Sequence, residues 1–228
     1  MSHRTLLLPS TPGSFVAERR KIIVTGAGLI GLAAAGVLGS FPQAWAADAH
    51  EYAKTPRQTE GPFYPLMRTI AIDPDLIHVP GEAGAAFGDA TAVEGRVIDS
   101  SGRPLAGVLV EVWQANGYGR YNDARDHSSK PIDRRFKGYG TSVTDDEGRY
   151  RFLTIRPVPY PGRAPHIHFA LSSQRMPRKF ITQMYVASAV ENDRDSLLRA
   201  LSPAERKRLL VALDKSGSEW KGTFDIVI

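Results

Sequence analysis

Tyr160-Pro161-Gly162-Arg163-Ala164-Pro165-His166-Ile167-His168 brings a phenol, a guanidinium and two imidazoles into nine residues. His166 and His168 are two apart, and Phe169-Ala170-Leu171 continue them as an apolar strand. Residues i and i+2 of a strand project from one face, so both rings reach toward one point. Two imidazoles on one face make half of a metal site. The chain has no cysteine, which excludes disulfides, zinc–thiolate sites and thiol chemistry. Tyrosines are then the leading candidates for the other half. A phenol ionises near pH 10, at about that value, and binds as phenolate only where a strong Lewis acid displaces its proton. A hard trivalent iron does this well, whereas zinc more usually takes histidine with cysteine or carboxylate. Two phenolates cancel most of the charge of Fe(III), which lowers the electrostatic cost of burying it.

Tyr160 lies between Pro159 and Pro161, two rings that restrict the backbone around it. A second source of phenols is the stretch Trp113-Gln114-Ala115-Asn116-Gly117-Tyr118-Gly119-Arg120-Tyr121-Asn122-Asp123, where a tyrosine flanked by glycines stands on a long loop. Each signal alone has a structural reading: a loop tyrosine at the surface, or two histidines satisfied within a core. Their convergence is more specific than any pair.

The elements that must hold these residues are short strands separated by turn signals, the pattern of an all-β sandwich. Val93, Gly95 and Val97 alternate with other residues and lead into Asp99-Ser100-Ser101-Gly102, a turn cluster. Val108, Val110 and Val112 alternate with Leu109, Glu111 and Trp113. Strands at 141–144 and 149–154 flank Asp145-Asp146-Glu147-Gly148, which reads as a hairpin connection. Further strands are expected at 166–171, 180–186 and 223–228. One helix is expected, with Ser202 as N-cap, Pro203 at its first position and Glu205 completing a capping box. It would carry Leu209, Leu210 and Leu213 toward the core.

The formal charge is +5, but residues 1–46 hold Arg4, Arg19, Arg20 and Lys21 against Glu18, a net of +3. The remaining +2 is too little to argue for a nucleic-acid partner. Residues 22–41 carry no charged side chain, follow Arg19-Arg20-Lys21 and precede Ala44-Trp45-Ala46. That is the order of an export signal with a small-residue cleavage site. The paired arginines point to the twin-arginine route, which implies an exported, periplasmic or secreted protein. Gly26-Ala27-Gly28-Leu29-Ile30-Gly31 matches a dinucleotide-binding fingerprint, but Pro42 interrupts the pattern and no second strand leads to Asp48. An uncleaved anchor is the alternative, and five glycines in the run weaken it; no stable membrane association is expected after cleavage. The organisation expected is a leader at 1–46, a linker and irregular lead-in segment at 47–90, and a β-sandwich at 91–228.

These motifs together resemble the intradiol ring-cleaving dioxygenases of catechols, especially the protocatechuate 3,4-dioxygenase type. The resemblance covers residues 56–190. It rests on Gln58-Thr59-Glu60-Gly61-Pro62-Phe63-Tyr64, on Val112-Trp113-Gln114-Ala115-Asn116 with Gly119-Arg120-Tyr121, and on Thr144-Asp145 with Gly148-Arg149-Tyr150. Pro159-Tyr160-Pro161 through His166-Ile167-His168-Phe169 completes it. The resemblance implies a prealbumin-like β-sandwich with long active-site loops and one short C-terminal helix. It implies that Tyr121, Tyr160, His166 and His168 ligate a non-haem Fe(III), with Tyr160 the phenol released when substrate binds. Arg163 would stabilise negative charge on the bound substrate, and Gln183 would lie near the site. The partners implied are a catechol-type small molecule and O2, and the product is a cis,cis-muconate-type diacid. Gly162 stands where protocatechuate enzymes commonly carry an aromatic that walls the pocket, so the natural catechol stays open. So does the question of a homo-oligomer. The rival reading is an exported transthyretin-like binding module that kept the fold without catalysis.

Overall fold

The computed structural model describes residues 51–66 and 71–228. The leader at 1–46 lies outside the described residues. Along the chain run β1 (Ala90–Ile98), β2 (Leu109–Trp113), β3 (Tyr139–Val143), β4 (Arg149–Ile155), β5 (His166–Ser172) and β6 (Phe180–Val186). A 3₁₀ turn (Val190–Asp193), α1 (Ser196–Arg199) and α2 (Pro203–Lys207) follow, then β7 (Leu210–Val211), β8 (Asp214–Ser216), β9 (Glu219–Thr223) and β10 (Ile226–Val227).

The strands form two five-stranded sheets. In one, β1 pairs antiparallel with β4 along one edge and parallel with β9 and then β10 along the other, while β8 hairpins onto β9. The other runs β3-β2-β5-β6-β7. Their facing side chains form one core: Val93, Val97 and Phe152 from the first sheet, and Val110, Val112, Ile167, Phe169 and Leu171 from the second. Phe169 meets Tyr150 and Phe224 with ring centroids 6.0 and 5.2 Å apart, both edge-on. An edge presented to a ring face suits the aromatic quadrupole and adds about 1 kcal/mol to simple burial.

The site depends on the second sheet having no solvent face at its centre. Ile167, Phe169 and Leu171 of β5 point into the core, so by strand alternation His166, His168 and Ala170 point outward. Yet His166, His168 and Ala170 are also buried, because loops cover that side. Register aligns Tyr139, Trp113, His168 and Gln183 in one row across β3, β2, β5 and β6. Residues 51–66 add to the cover: Thr55 N donates to Val227 O at 3.0 Å, and Gln58 N to Ile181 O at 2.9 Å.

Several expectations need correction. The turn at Asp145–Gly148 forms, with Gly148 N donating to Asp145 O at 2.9 Å, but it is no hairpin. β3 belongs to the second sheet and β4 to the first, so the turn arches between layers. Thr144 holds its start beside β2, accepting from Val108 N through its hydroxyl at 2.9 Å, and Gly148 O accepts from Val97 N of β1 at 2.8 Å. Ser202 and Glu205 do make the capping box, but the helix ends at Lys207. Leu209 is buried beyond it, and Leu210 begins β7 rather than lying on the helix. The Tyr185 and Ala187 amides, which donate to Leu209 O and Val211 O, extract these residues as strand. A second helix, α1, precedes the expected one. The last expected strand divides into β9 and β10, with Phe224 and Asp225 between them.

Candidate metal centre

His166 and His168 place their Nε2 atoms 3.2 Å apart, as the strand spacing requires. Tyr160 Oη lies 3.4 Å from His166 Nε2. Tyr121 completes the cluster, its ring edge-on to that of Tyr160 at 5.8 Å and 6.4 Å from His168. The two tyrosines come from different loops. Tyr121 follows β2, and its backbone N–H donates to buried Asp126 at 2.8 Å. Tyr160 opens a tight turn in which Arg163 N donates to Tyr160 O at 2.9 Å. Pro161 and Gly162 occupy the middle of that turn, and Gly162 has φ +79°. That is a type II turn, which needs positive φ at its third residue and favours proline at its second.

The rings are held from several sides. Trp113 stacks on His168 at 4.7 Å and 10°, and Phe63 stacks on Tyr121 at 4.5 Å. Gly61 lies close enough that a Cβ there would sit 3.4 Å from His168 Cε1. His166 Nδ1 is 2.6 Å from Ala164 O, which fixes that nitrogen as the protonated one and leaves Nε2 with its lone pair.

Burial pushes His166 down to about 3, and the nearby Arg163 charge adds to the effect. Burial, His166 and Arg163 push His168 well below the ordinary imidazole value. Both rings are therefore neutral at physiological pH, the form that ligates metals. Burial raises Tyr121 well above the usual phenol range, with Tyr160 adding to it, and also raises Tyr160. Without a cation, then, the phenols stay protonated.

Tyr121 Oη is buried and has no hydrogen-bond partner among the described residues. Buried polar atoms normally have a partner. An orphaned phenol beside two neutral imidazoles and a second phenol suits a hard, high-valent cation that replaces the phenolic protons.

Arg163, largely buried, and Gln183, wholly buried beside His168, flank the cluster. Arg163 Nη2 donates to Gln183 Oε1 at 2.6 Å and to Tyr185 Oη at 3.1 Å, and Nη1 to Tyr160 Oη at 3.4 Å. Gln183 Nε2 in turn donates to Thr59 O at 2.9 Å. All six residues singled out from sequence thus converge: Tyr121, Tyr160, Arg163, His166, His168 and Gln183. Tyr118 does not join them; its ring stacks on Phe87 at 4.5 Å. Sequence reasoning missed Asp195, which binds Arg163 Nε at 2.8 Å. Its one signal was a capping residue ahead of Leu197-Leu198.

Fold and cluster define a class: a two-sheet β-sandwich bearing a buried centre of two imidazoles and two phenols under loop cover. Residues 59–228 match the family profile described as Dioxygenase. The chain is 38% identical over 183 residues to the protocatechuate 3,4-dioxygenase beta chain of Burkholderia cepacia, covering 75% of this chain and 78% of that one. It is 35% identical over 123 residues to the catechol 1,2-dioxygenase of Candida albicans, covering 46% of this chain but only 39% of that enzyme. The dioxygenase domain of a dioxygenase–carbohydrate-binding fusion from Streptomyces sp. SirexAA-E superposes with a TM-score of 0.61 at 29% identity, covering 77% of this chain and 98% of that domain. The chain belongs to the intradiol dioxygenase family, oxidoreductases that use non-haem Fe(III) to cleave catechol-type rings.

Proposed function

We propose that Tyr121, Tyr160, His166 and His168 hold Fe(III) and that the chain cleaves a catechol between its two hydroxyl-bearing carbons, giving a cis,cis-muconate-type diacid. The observation that carries this reading is the convergence of both histidine Nε2 atoms and the Tyr160 hydroxyl, beside the orphaned Tyr121 hydroxyl. The metal supplies Lewis acidity toward the catecholate and O2 when bound.

The chain's own residues do the rest. His166 and His168 present neutral nitrogens from a strand buried on both faces, so they cannot drift. Tyr121 is fully enclosed and stays in place. Tyr160 sits on an exposed turn and is the phenol free to leave. Its high proton affinity lets its oxygen accept a proton from the incoming catechol. Arg163 directs Nη1 toward that same oxygen, and so toward the space where the deprotonated catechol's negative charge would lie once Tyr160 has left. Trp113 and Phe63 wall the centre and exclude water. On the exposed turn beside the cluster, a Cβ at Gly162 would meet nothing within 4 Å among the described residues, which leaves room for substituents on the ring. The order of the leader sequence supports an exported enzyme; N-terminal sequencing of the mature protein, starting near Ala47, tests it.

The central experiment is oxygen uptake by iron-loaded protein across catechol, protocatechuate, hydroxyquinol and larger catechols, with product analysis. The expected products are diacids cleaved between the hydroxyls, from a protein coloured red-brown by tyrosinate–Fe(III) absorption. Cleavage outside the two hydroxyls, or a colourless protein that takes up no iron, would overturn the reading. Tyr160→Phe should alter the visible spectrum.

A further inference from the structure

The carboxylate of Asp195 grips the Arg163 side chain and the backbone next to it. Its Oδ2 accepts from Arg163 Nε at 2.8 Å and from the next backbone amide, Ala164 N, at 3.0 Å. Its Oδ1 accepts from Leu197 N and Leu198 N at 3.0 and 3.1 Å, capping α1. The Asp195 side chain is wholly buried and that of Arg163 is 15% exposed. Four donors thus fix the carboxylate, and it does not titrate freely: those backbone amides and the guanidinium hold it below the usual range against the opposing pull of burial.

A guanidinium is planar, so fixing Nε and Nη2 fixes the direction of Nη1. Nε is held by Asp195, and Nη2 by Gln183 and Tyr185 on β6. Nη1 contacts Tyr160 Oη alone among the described residues, at 3.4 Å. If Tyr160 leaves, Arg163 loses only its longest bond and keeps the three that aim it. An arginine restrained by Tyr160 alone would instead be released at the moment its charge is needed.

We infer that Asp195 is a positioning residue for the ring-cleavage reaction, acting through Arg163 by locking the guanidinium so that Nη1 stays aimed at the centre after Tyr160 departs. The inference rests on the function proposed above, in which Tyr160 is the phenol that leaves. It assigns Asp195 no contact with substrate or metal. Among the described residues no proposed ligand side chain donates to Asp195, so Arg163 is the side chain through which its carboxylate reaches into the site.

The test is a double-mutant cycle on iron-loaded, full-length protein with Asp195→Asn, Arg163→Gln and the pair. Asparagine keeps one oxygen for the helix cap but loses the charge and offers Arg163 Nε no matching carboxylate. The expected result is a kcat lowered about tenfold to a hundredfold by Asp195→Asn, the span of one charged hydrogen bond, with KM changed less than about threefold. The pair should be no slower than Arg163→Gln alone, within about twofold, since both changes remove one function. Additive losses, or a kcat unchanged by Asp195→Asn, would overturn the inference.

A second measurement needs neither iron nor turnover. In ¹⁵N NMR spectra of the wild-type protein, the Arg163 Nε–H should exchange with water at least about tenfold more slowly than that of exposed Arg149, because a buried hydrogen bond must open first. Equal exchange rates would overturn the inference even if Asp195→Asn failed to fold. Asp195→Ser offers a further check: serine still caps α1 but cannot reach Arg163, so Tm should rise above that of Asp195→Ala and stay short of wild type, while kcat stays low. Recovery of both would assign Asp195 a purely structural role. Absence of oxygen uptake by wild-type protein would count against the proposed function and leave the exchange result to decide the positioning role.

Discussion

Two arginine–aspartate pairs in this molecule have nearly the same length and opposite meaning. Arg163 Nε reaches Asp195 Oδ2 at 2.8 Å, and Arg103 Nε reaches Asp99 Oδ2 at 2.9 Å. The first pair is 15% and 0% exposed, the second 80% and 21%. Asp99 also accepts from the Ser101 hydroxyl and from the Ser101 and Arg103 amides, which closes the turn after β1. Those bonds, the Ser101 hydroxyl foremost, draw its carboxyl down to about 2. Water competes for every bond around Asp99 and for almost none around Asp195. Equal distances therefore carry unequal consequences, because what matters is the partner each group finds when the bond is lost.

Breaking the buried pair should have the largest effect. Asp195→Ala leaves Arg163 largely buried without its carboxylate and uncaps α1, and should cost about 3–5 kcal/mol. Thermal melting should show a fall in Tm of about 10 °C. A fall of only about a degree would erase the contrast between the pairs. Next is Arg163→Lys, which keeps the charge but replaces a planar fork by a compact ammonium. It cannot serve Asp195, Gln183 and Tyr185 together, so kcat should fall about tenfold, read by oxygen uptake.

The sequence made most of the site legible and left this contrast hidden. Tyr160, Arg163, His166 and His168 lie within nine residues, where strand alternation and a proline–glycine turn decide orientation locally. Tyr121 and Gln183 were found through motifs that resemble a family, since no spacing rule joins separate strands. Asp195 was invisible because its partner lies 32 residues earlier, across a strand pair and a 3₁₀ turn. The fold divides similarly. Valine alternation located β1 and β2, and the capping box located the start of α2. Nothing local announced that the Asp145–Gly148 turn would carry the chain from one sheet to the other. Nor did the pattern Leu209-Leu210 distinguish a last helical turn from a strand edge, since only pairing with β6 decides it.

Salt should sharpen the comparison further. Raising ionic strength from about 0.1 to 1 M shortens the screening length from about 10 to 3 Å. The Tm difference between wild type and Asp195→Ala should persist, while any difference between wild type and Asp99→Asn should shrink. The smallest effect is the pH dependence of Asp99. Its folded-state carboxyl is depressed, so its contribution is complete above the ordinary carboxylate range and is lost as pH falls through about 2. Melting wild type and Asp99→Asn in parallel should give a small, constant gap from pH 5 to 8 that closes toward pH 2. A gap that widened on acidification would reverse the assigned sign.

The tie between Thr55 and Val227 sets a timetable for biosynthesis. Thr55 accepts from Val227 N through its hydroxyl across 172 positions of chain, and its own N–H donates back to Val227 O. A few residues on, Thr59 O holds Gln183 and Gly61 backs His168. The segment that lines one wall of the centre is thus among the first parts of the sandwich to leave the ribosome. Residues 56–59 find their anchors on β6, but the anchor at Thr55 comes only when strand 226–227 has been made. Until then a nascent chain would carry both histidines and both tyrosines with that wall pinned to β6 but loose at its start, so the wall is fully fastened only after β10 has joined the sheet.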